Sequence, residues 1–314
     1  MKSSIGISSD IIPGLYEGMI DEIFSSDPQV DKILEQVLAT KGKGVRPAFM
    51  AIAASLAGGT WESLYKAAMV IEAVHLASLL HDDVVDGSWL RRGVETLNAK
   101  YSDKISILSG DYIFIRAMMM SHDIGVPEAP SIVFKSVERM IRGEIRDSLA
   151  SGIIDEKTYL SIIGDKTASL FGASGELGVM LSGATGMERI WGRELGELVG
   201  TAFQIVDDAL DYLGNVEVMG KPGLMDVMAG RMTLPLIYSL RGYNPIKIKK
   251  LLSGGENSAK ELFELVHSSG GIGYALERAR EYVDRAHEVS RRFENRKAQD
   301  DLDEFLEILA ERHF

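Results

Sequence analysis

A chain of 314 residues with 34 lysines and arginines against 46 aspartates and glutamates carries a formal charge of −12 and contains no cysteine. The missing thiols exclude disulfides, thiolate metal centres, iron–sulfur clusters and cysteine nucleophiles. The acidic balance argues against a nucleic-acid binder, which needs a basic face for phosphates, while 46% hydrophobic and 25% charged residues describe an ordinary soluble globular protein with a substantial core.

Met1-Lys2-Ser3-Ser4-Ile5-Gly6 is followed by Asp10 and Pro13 before any apolar run develops, so no secretory signal is read there. The longest uncharged run, Pro47 to Trp61, has 15 residues, fewer than the about 20 of a membrane span. It reads as a buried helix, and the chain as cytoplasmic. From Trp61 a helix is expected up to Asp86: Leu64, Ala68, Ile71, His75, Ser78 and Asp82 step by four and three along one stripe. Further helical patterns follow at Ile105–Ser121, Ala129–Leu149, Tyr159–Leu181, Arg189–Leu213, Leu234–Leu240, Ala259–His267, Ile272–Phe293 and Leu302–Arg312. Breakers separate them at Gly58-Gly59, Gly125/Pro127, Gly183, Gly220/Pro222/Gly223, Gly254-Gly255 and Gly270-Gly271. No run alternates as a strand would, and no interruption is long enough for a linker. The expectation is one all-α domain over residues 1–314. Helices apolar almost all round, with alanine, glycine and serine interspersed, belong inside a large bundle.

Two acidic clusters interrupt this apolar background. His81-Asp82-Asp83-Val84-Val85-Asp86 ends one predicted helix, and Phe203-Gln204-Ile205-Val206-Asp207-Asp208-Ala209-Leu210-Asp211 repeats the spacing 125 residues later. Residues four apart lie on one helical face roughly 6 Å apart, so Asp82 pairs with Asp86, and Asp207 with Asp211. Asp83 and Asp208 are turned by about 100°. Like charges among apolar neighbours, without compensating lysines, cost stability and signal a bound cation. Carboxylates without histidine or cysteine suit a hard ion such as Mg²⁺, which is readily shared with substrate phosphates. By contrast, Asp300-Asp301-Leu302-Asp303-Glu304 stands at the start of the last helix, where the dipole favours acidic residues without any ligand.

Basic residues near the first cluster match an anion. Leu90-Arg91-Arg92-Gly93 offers paired guanidinium groups for phosphate. Lys41-Gly42-Lys43-Gly44-Val45-Arg46-Pro47 opens the buried helix with glycines, cations and a helix N-terminus, all suited to anions. It lacks the spacing of a nucleotide-hydrolysing phosphate loop. His75, two turns before Asp82, has the ordinary reading of a core histidine; the anion-binding groups near by make it a candidate ligand.

With these pieces in order, the sequence resembles the all-trans polyprenyl diphosphate synthases, the family of farnesyl and geranylgeranyl diphosphate synthases. The matching segments are Gly42-Lys43…Arg46-Pro47, His75, Asp82-Asp83-Val84-Val85-Asp86, Arg91-Arg92-Gly93, Gly110-Asp111, Lys166-Thr167, Gln204 with Asp207-Asp208-Ala209-Leu210-Asp211, and Gly220-Lys221-Pro222-Gly223…Asp226…Gly230-Arg231…Thr233-Leu234-Pro235. The resemblance implies an isoprenoid-synthase bundle of long helices around a deep cavity, usually a homodimer. It also implies a reaction: isopentenyl diphosphate is added to an allylic diphosphate, and pyrophosphate is released. By that resemblance Lys43, Arg46, His75 and Arg92 hold isopentenyl diphosphate, while Arg91, Lys166 and Lys221 grip the allylic diphosphate, with Arg231 near by. Asp82, Asp86 and Asp207 carry several Mg²⁺ ions, and Asp83, Asp208 and Asp211 complete the cage. Thr167 and Gln204 face the allylic cation. No protein nucleophile is needed, and pyrophosphate takes the final proton.

The chain departs from the family at Gly44, where an arginine is common, and at Arg231, where lysine is common. The segment 214–233 is rich in glycine; a lid over the diphosphate and an ordinary surface loop both fit its composition. In this family the product grows down a tunnel beside the first aspartate helix, and bulky residues one turn before the cluster form its floor. Here those residues are Ala77 and Ser78, both small, which implies a geranylgeranyl (twenty-carbon) or longer product. Val74, Phe114, Met118 and Met119 either close the tunnel lower down or simply pack the core. The alternatives are a terpene cyclase of the same fold, which has no use for Lys43, Arg46, His75 and Arg92, and a non-catalytic subunit of a prenyl synthase. No stable membrane anchor is read from the sequence, since no basic amphipathic segment is present.

Overall fold

The computed structural model describes residues 8–40, 42–91, 93–150, 152–213, 231–252 and 254–310. Arg92, Lys221 and most of the 214–233 segment lie outside the described residues, so their expected roles are not placed. The described chain is almost entirely helical, as its periodicity predicts. No helix among the described residues is long and apolar enough to cross a membrane. The chain divides into two compact units, Met1–Val137 with Ala173–Arg193 and Phe293–Leu302, and Glu138–Gly172 with Glu194–Arg292 and Asp303–Phe314.

The first unit opens with α1 (Ser8–Ile23) and α2 (Pro28–Ala39), neither of which the apolar pattern anticipates. Asp27 caps α2 by accepting from the N–H groups of Gln29 and Val30, and Pro28 occupies the first helical position. Then come α3 (Val45–Leu56), a short 3₁₀ turn (Trp61–Ser63) and α4 (Tyr65–Val85). α3 buries Phe49, Met50 and Ile52 completely, as expected of an uncharged helix inside a bundle. A two-stranded antiparallel hairpin, β1 (Leu90–Arg91) and β2 (Val94–Glu95), follows, against the expectation of no strand. It is too short for a periodicity to show; Thr96 and Asn98 fasten it through the Ser88 carbonyl at 2.8 and 3.0 Å. α5 (Leu97–Lys100) leads into α6 (Asp103–His122), which packs along α4. Small residues allow that packing: Gly110 abuts His81, and the Ser106 hydroxyl donates to the Leu80 carbonyl at 2.9 Å. The unit also takes in the first part of α7 (Ala129–Leu149), the last part of α9 (Ser169–Leu181), and the beginnings of α10 (Met187–Leu210) and of the last helix. Gly178 of α9 meets α3 so closely that a Cβ would lie 2.5 Å from the Met50 carbonyl.

The second unit holds the rest of α7, α8 (Glu156–Ile163), a π-helical segment (Gly164–Ala168), the start of α9 and most of α10. It continues with α11 (Leu234–Ser239), α12 (Pro245–Leu252), α13 (Gly255–Ser269), α14 (Gly271–Ser290) and the end of α15 (Arg296–Ala310). Its core gathers Ile205, Tyr212, Leu234, Leu236, Leu262, Phe263 and Val266, with Tyr212 stacked on Phe263. Gly270 adopts a left-handed conformation (φ 82°) between α13 and α14, as the Gly270-Gly271 breaker predicts.

Candidate active site

Both aspartate clusters close the C-terminus of a helix. Asp82 and Asp83 occupy the last turn of α4 and Asp86 caps it, with no basic residue in that turn. Asp207 and Asp208 stand in the last turn of α10, again without a basic residue, and Asp211 follows its final residue. The helix dipole is negative at this end, so carboxylates there add to an unfavourable field that a cation relieves. The 300–304 cluster lies otherwise, within α15, and Asp303 meets the His287 Nδ1 at 2.8 Å.

Each cluster divides into an accessible pair and an inward carboxylate. Asp82 is half-buried and Asp86 exposed; Asp207 is exposed and Asp211 half-buried. Asp83 is buried and accepts from Arg91 Nε at 2.8 Å. Burial pushes its carboxyl above the ordinary range; Arg91 opposes that, and Asp86 adds to it. Thus Arg91, expected on a diphosphate, is set beside the first cluster by Asp83. A cavity of about 50 Å³ adjoins this pair, lined by Val37, Leu76, Leu80 and Leu97 among others. It lies on a different face of α4 from His75, Ser78 and Asp82, so it is not the path expected for the chain.

Asp208 is also buried, and its two oxygens are taken by Gln204 Nε2 at 2.7 Å and the Tyr159 hydroxyl at 2.6 Å. Burial, then the Asp208 charge, push the Tyr159 phenol well above its usual range, so it stays a donor. The Gln204 amide is thereby oriented: with its nitrogen on Asp208, its Oε1 accepts from the Thr167 hydroxyl at 2.8 Å. Thr167, Gln204 and Asp208, all expected in the site, are brought together. Tyr159 joins them unannounced; an aromatic at a buried helical position signals only core packing in a sequence.

Lys166 and Thr167 lie in the π-helical segment, a local widening that often accompanies function. Two contacts with α7 shape it. Gly143 approaches so closely that a Cβ would stand 2.5 Å from the Lys166 backbone nitrogen. Asp165 is gripped by Arg139 Nε at 3.0 Å and by Arg142 at 3.1 Å, while Arg139 also meets Glu197. Lys166 Nζ rests on Glu144 at 2.7 Å and Asp147 at 3.0 Å. These partners were missed by sequence reasoning because they lie 19 to 26 residues away on another helix.

Burial alone would raise the Asp165 carboxyl, but hydrogen bonds and charge from Arg142 and Arg139 outweigh it, and the net shift is downward. A depressed carboxyl contributes stability above its unfolded-state pKa and loses it as pH falls through its folded value. Asp165→Asn should therefore cost about 1–3 kcal/mol at neutral pH, measured by urea unfolding. The gap to wild type should close in acid; a gap constant with pH would count against the assigned ion pairs.

In the remaining positions, Lys43 is exposed and Arg46 half-buried in the first turn of α3, beyond Gly44, whose left-handed backbone (φ 60°) starts the helix. His75 and Arg231 are half-buried. Val74 and Ala77 are wholly buried on α4, and the half-buried Ser78 donates its hydroxyl to the His75 carbonyl at 2.8 Å. Phe114 lies against the His81 ring, whereas Met119 is 55% exposed and turns outward. Among the described residues, no three acidic or histidine side chains converge as a ready-made metal centre. Paired, accessible carboxylates nevertheless fit a cation that takes its remaining ligands from water and phosphate.

Known proteins resemble this chain in sequence and in fold. The sequence model of the Polyprenyl synthetase family matches residues 27–268. Component 2 of the heptaprenyl diphosphate synthase of Geobacillus stearothermophilus is 34% identical over 244 residues, 76% of each chain. The nonaprenyl diphosphate synthase of Mycobacterium tuberculosis is 34% identical over 283 residues, 87% of this chain and 84% of its own. A polyprenyl synthase of Caulobacter crescentus, solved with calcium and isoprenyl diphosphate, superposes with a TM-score of 0.88 at 31% identity, covering 97% of this chain and 95% of its own. The all-α isoprenoid-synthase fold and these matches define the class, a prenyl-transferring enzyme. The chain belongs to the polyprenyl synthetase family.

Proposed function

We propose that the chain is a single synthase domain that condenses isopentenyl diphosphate with an allylic diphosphate to a product of twenty carbons or more. The observation that carries this reading is the pair of aspartate clusters, each closing an apolar helix at its negative end, with cationic groups near by in sequence. In the reaction the allylic carbon–oxygen bond breaks, pyrophosphate leaves with the electron pair, the isopentenyl double bond supplies the new carbon–carbon bond and is re-formed as one proton passes to the released pyrophosphate. Asp82 and Asp86 in the first cluster, and Asp207 and Asp211 in the second, would hold Mg²⁺, which would neutralise the charge of the leaving diphosphate. Lys43, Arg46, His75 and Arg92 orient isopentenyl diphosphate; Arg91, Lys166 and Lys221 hold the allylic diphosphate, with Arg231 in support. Asp83 and Asp208 act one step back, through Arg91 and through Gln204. The Thr167 hydroxyl and Gln204 amide offer fixed dipoles to the allylic cation, and neither is a base that would divert it.

The small Ala77 supports a long product, and the relatives' names, heptaprenyl and nonaprenyl, lie on the long side. We take the enzyme to be a homodimer. Ile107, Leu108, Ile115 and Met119 leave an apolar stripe on the outside of α6, of the kind that a second copy covers. The deciding experiment incubates purified protein with isopentenyl diphosphate, a panel of allylic primers and Mg²⁺, sizes the products and repeats with EDTA. Chain-length products of twenty carbons or more, lost with EDTA, are expected. Farnesyl as the end product would sink the length assignment; metal-independent release of pyrophosphate would sink the chemistry.

A further inference from the structure

Tyr16, Glu72 and Gly42 form a hydrogen-bonded set inside the first unit. Tyr16 on α1 and Glu72 on α4 are each 1% exposed. The Tyr16 hydroxyl donates to Glu72 Oε1 at 2.6 Å and accepts from the Gly42 N–H at 2.6 Å. One hydroxyl has a proton to give and lone pairs to receive, so both bonds hold at once with the correct polarity. The fit is close: a Cβ on Gly42 would stand 2.6 Å from Glu72 Oε1 and 2.7 Å from the Tyr16 oxygen. Gly42 is not among the residues of positive φ. Glycine is therefore required there by the closeness of these two side chains rather than by backbone conformation.

The segment that follows carries Lys43, exposed, and Arg46, at the first turn of α3. Between Thr40 and Val45 the described chain has no regular structure, so the direction in which these cations are presented depends on where the backbone is tied. We propose that Tyr16 and Glu72 are positioning residues for isopentenyl diphosphate: they fasten the Gly42 backbone and thereby set where Lys43 and Arg46 offer their charges. Neither touches substrate. The inference deepens the function proposed above and rests on it for the identity of the anion.

Tyr16→Phe removes the bridging oxygen and keeps the ring. Removing one hydrogen-bonding partner should weaken isopentenyl diphosphate binding by about tenfold. The expected result is that rise in its KM, matched by calorimetric affinity, with kcat and the KM for the allylic substrate within about twofold of wild type. Amide hydrogen exchange at Gly42 should quicken in the same variant. Gly42→Ala, which collides with the pair instead of deleting it, should give the same selective loss. Unchanged isopentenyl diphosphate affinity in Tyr16→Phe, or equal loss for both substrates, overturns the proposal. Wild-type protein that binds no isopentenyl diphosphate overturns the functional reading instead, and is tested first. Gly42 exchange unaltered by Tyr16→Phe overturns the fastening whatever the substrate.

Discussion

Asp207→Ala should lower turnover by about 10²–10³-fold while leaving the fold intact, and Asp82→Ala should do the same. The size follows from removing one charge-stabilising group from the site proposed to neutralise a leaving diphosphate. The harmlessness to the fold follows from position. Asp207 is exposed at the negative end of α10, where losing a carboxylate costs the native state little. Their inward neighbours should behave differently. Asp208→Ala strands the Tyr159 hydroxyl and the Gln204 amide, and Asp83→Ala strands the Arg91 guanidinium. Each should cost about 1–3 kcal/mol of stability in addition to activity. Initial rates of pyrophosphate release, paired with thermal melting of all four variants, separate the two classes. Unchanged turnover in Asp82→Ala or Asp207→Ala would remove the metal assignment.

The second large effect concerns product size. Ala77→Phe should shorten the product by one or more five-carbon units, read by chromatography of the dephosphorylated alcohols. Ala77 is wholly buried on α4, one turn ahead of the aspartates. A benzyl group there would obstruct a product growing beside that helix. The substitution also overpacks the core, at about 1–3 kcal/mol, so melting must accompany the assay. A product distribution identical to wild type in a folded variant would mean that the chain does not pass this position. Ser78→Phe, half-buried on the neighbouring face, provides the control for direction.

The aspartate clusters were legible because their signal is local: like charges among apolar residues are costly wherever the chain goes. The helices from α6 to α10 were legible for the same reason, their apolar periods being long. α1, α2 and α12 escaped, although α2 places Leu34, Val37 and Leu38 on one buried face. What joins distant segments could not be read. Asp165 in the sequence is one carboxylate beside a lysine; its meaning comes from Arg139 and Arg142 on α7. Tyr159 likewise acquires its role from Asp208, 49 residues on. Lys166 and Thr167 carried no signal in composition or spacing, and only the family resemblance marked them. The expected continuous helix over Tyr159–Leu181 is present in outline, but the pattern gave no hint of the widened turn inside it.

That widened turn has an evolutionary corollary. A π-helical turn accommodates one more residue than the helix on either side, as though a residue had been inserted without lengthening the rod. α-Helical counting carried from Tyr159 into α9 thus assigns every later side chain to a direction about 100° from its own. Insertions and deletions between 164 and 168 are accordingly not neutral changes of length. Losing one residue there would turn the remainder of the helix about its axis and change which side of α9 faces its neighbours.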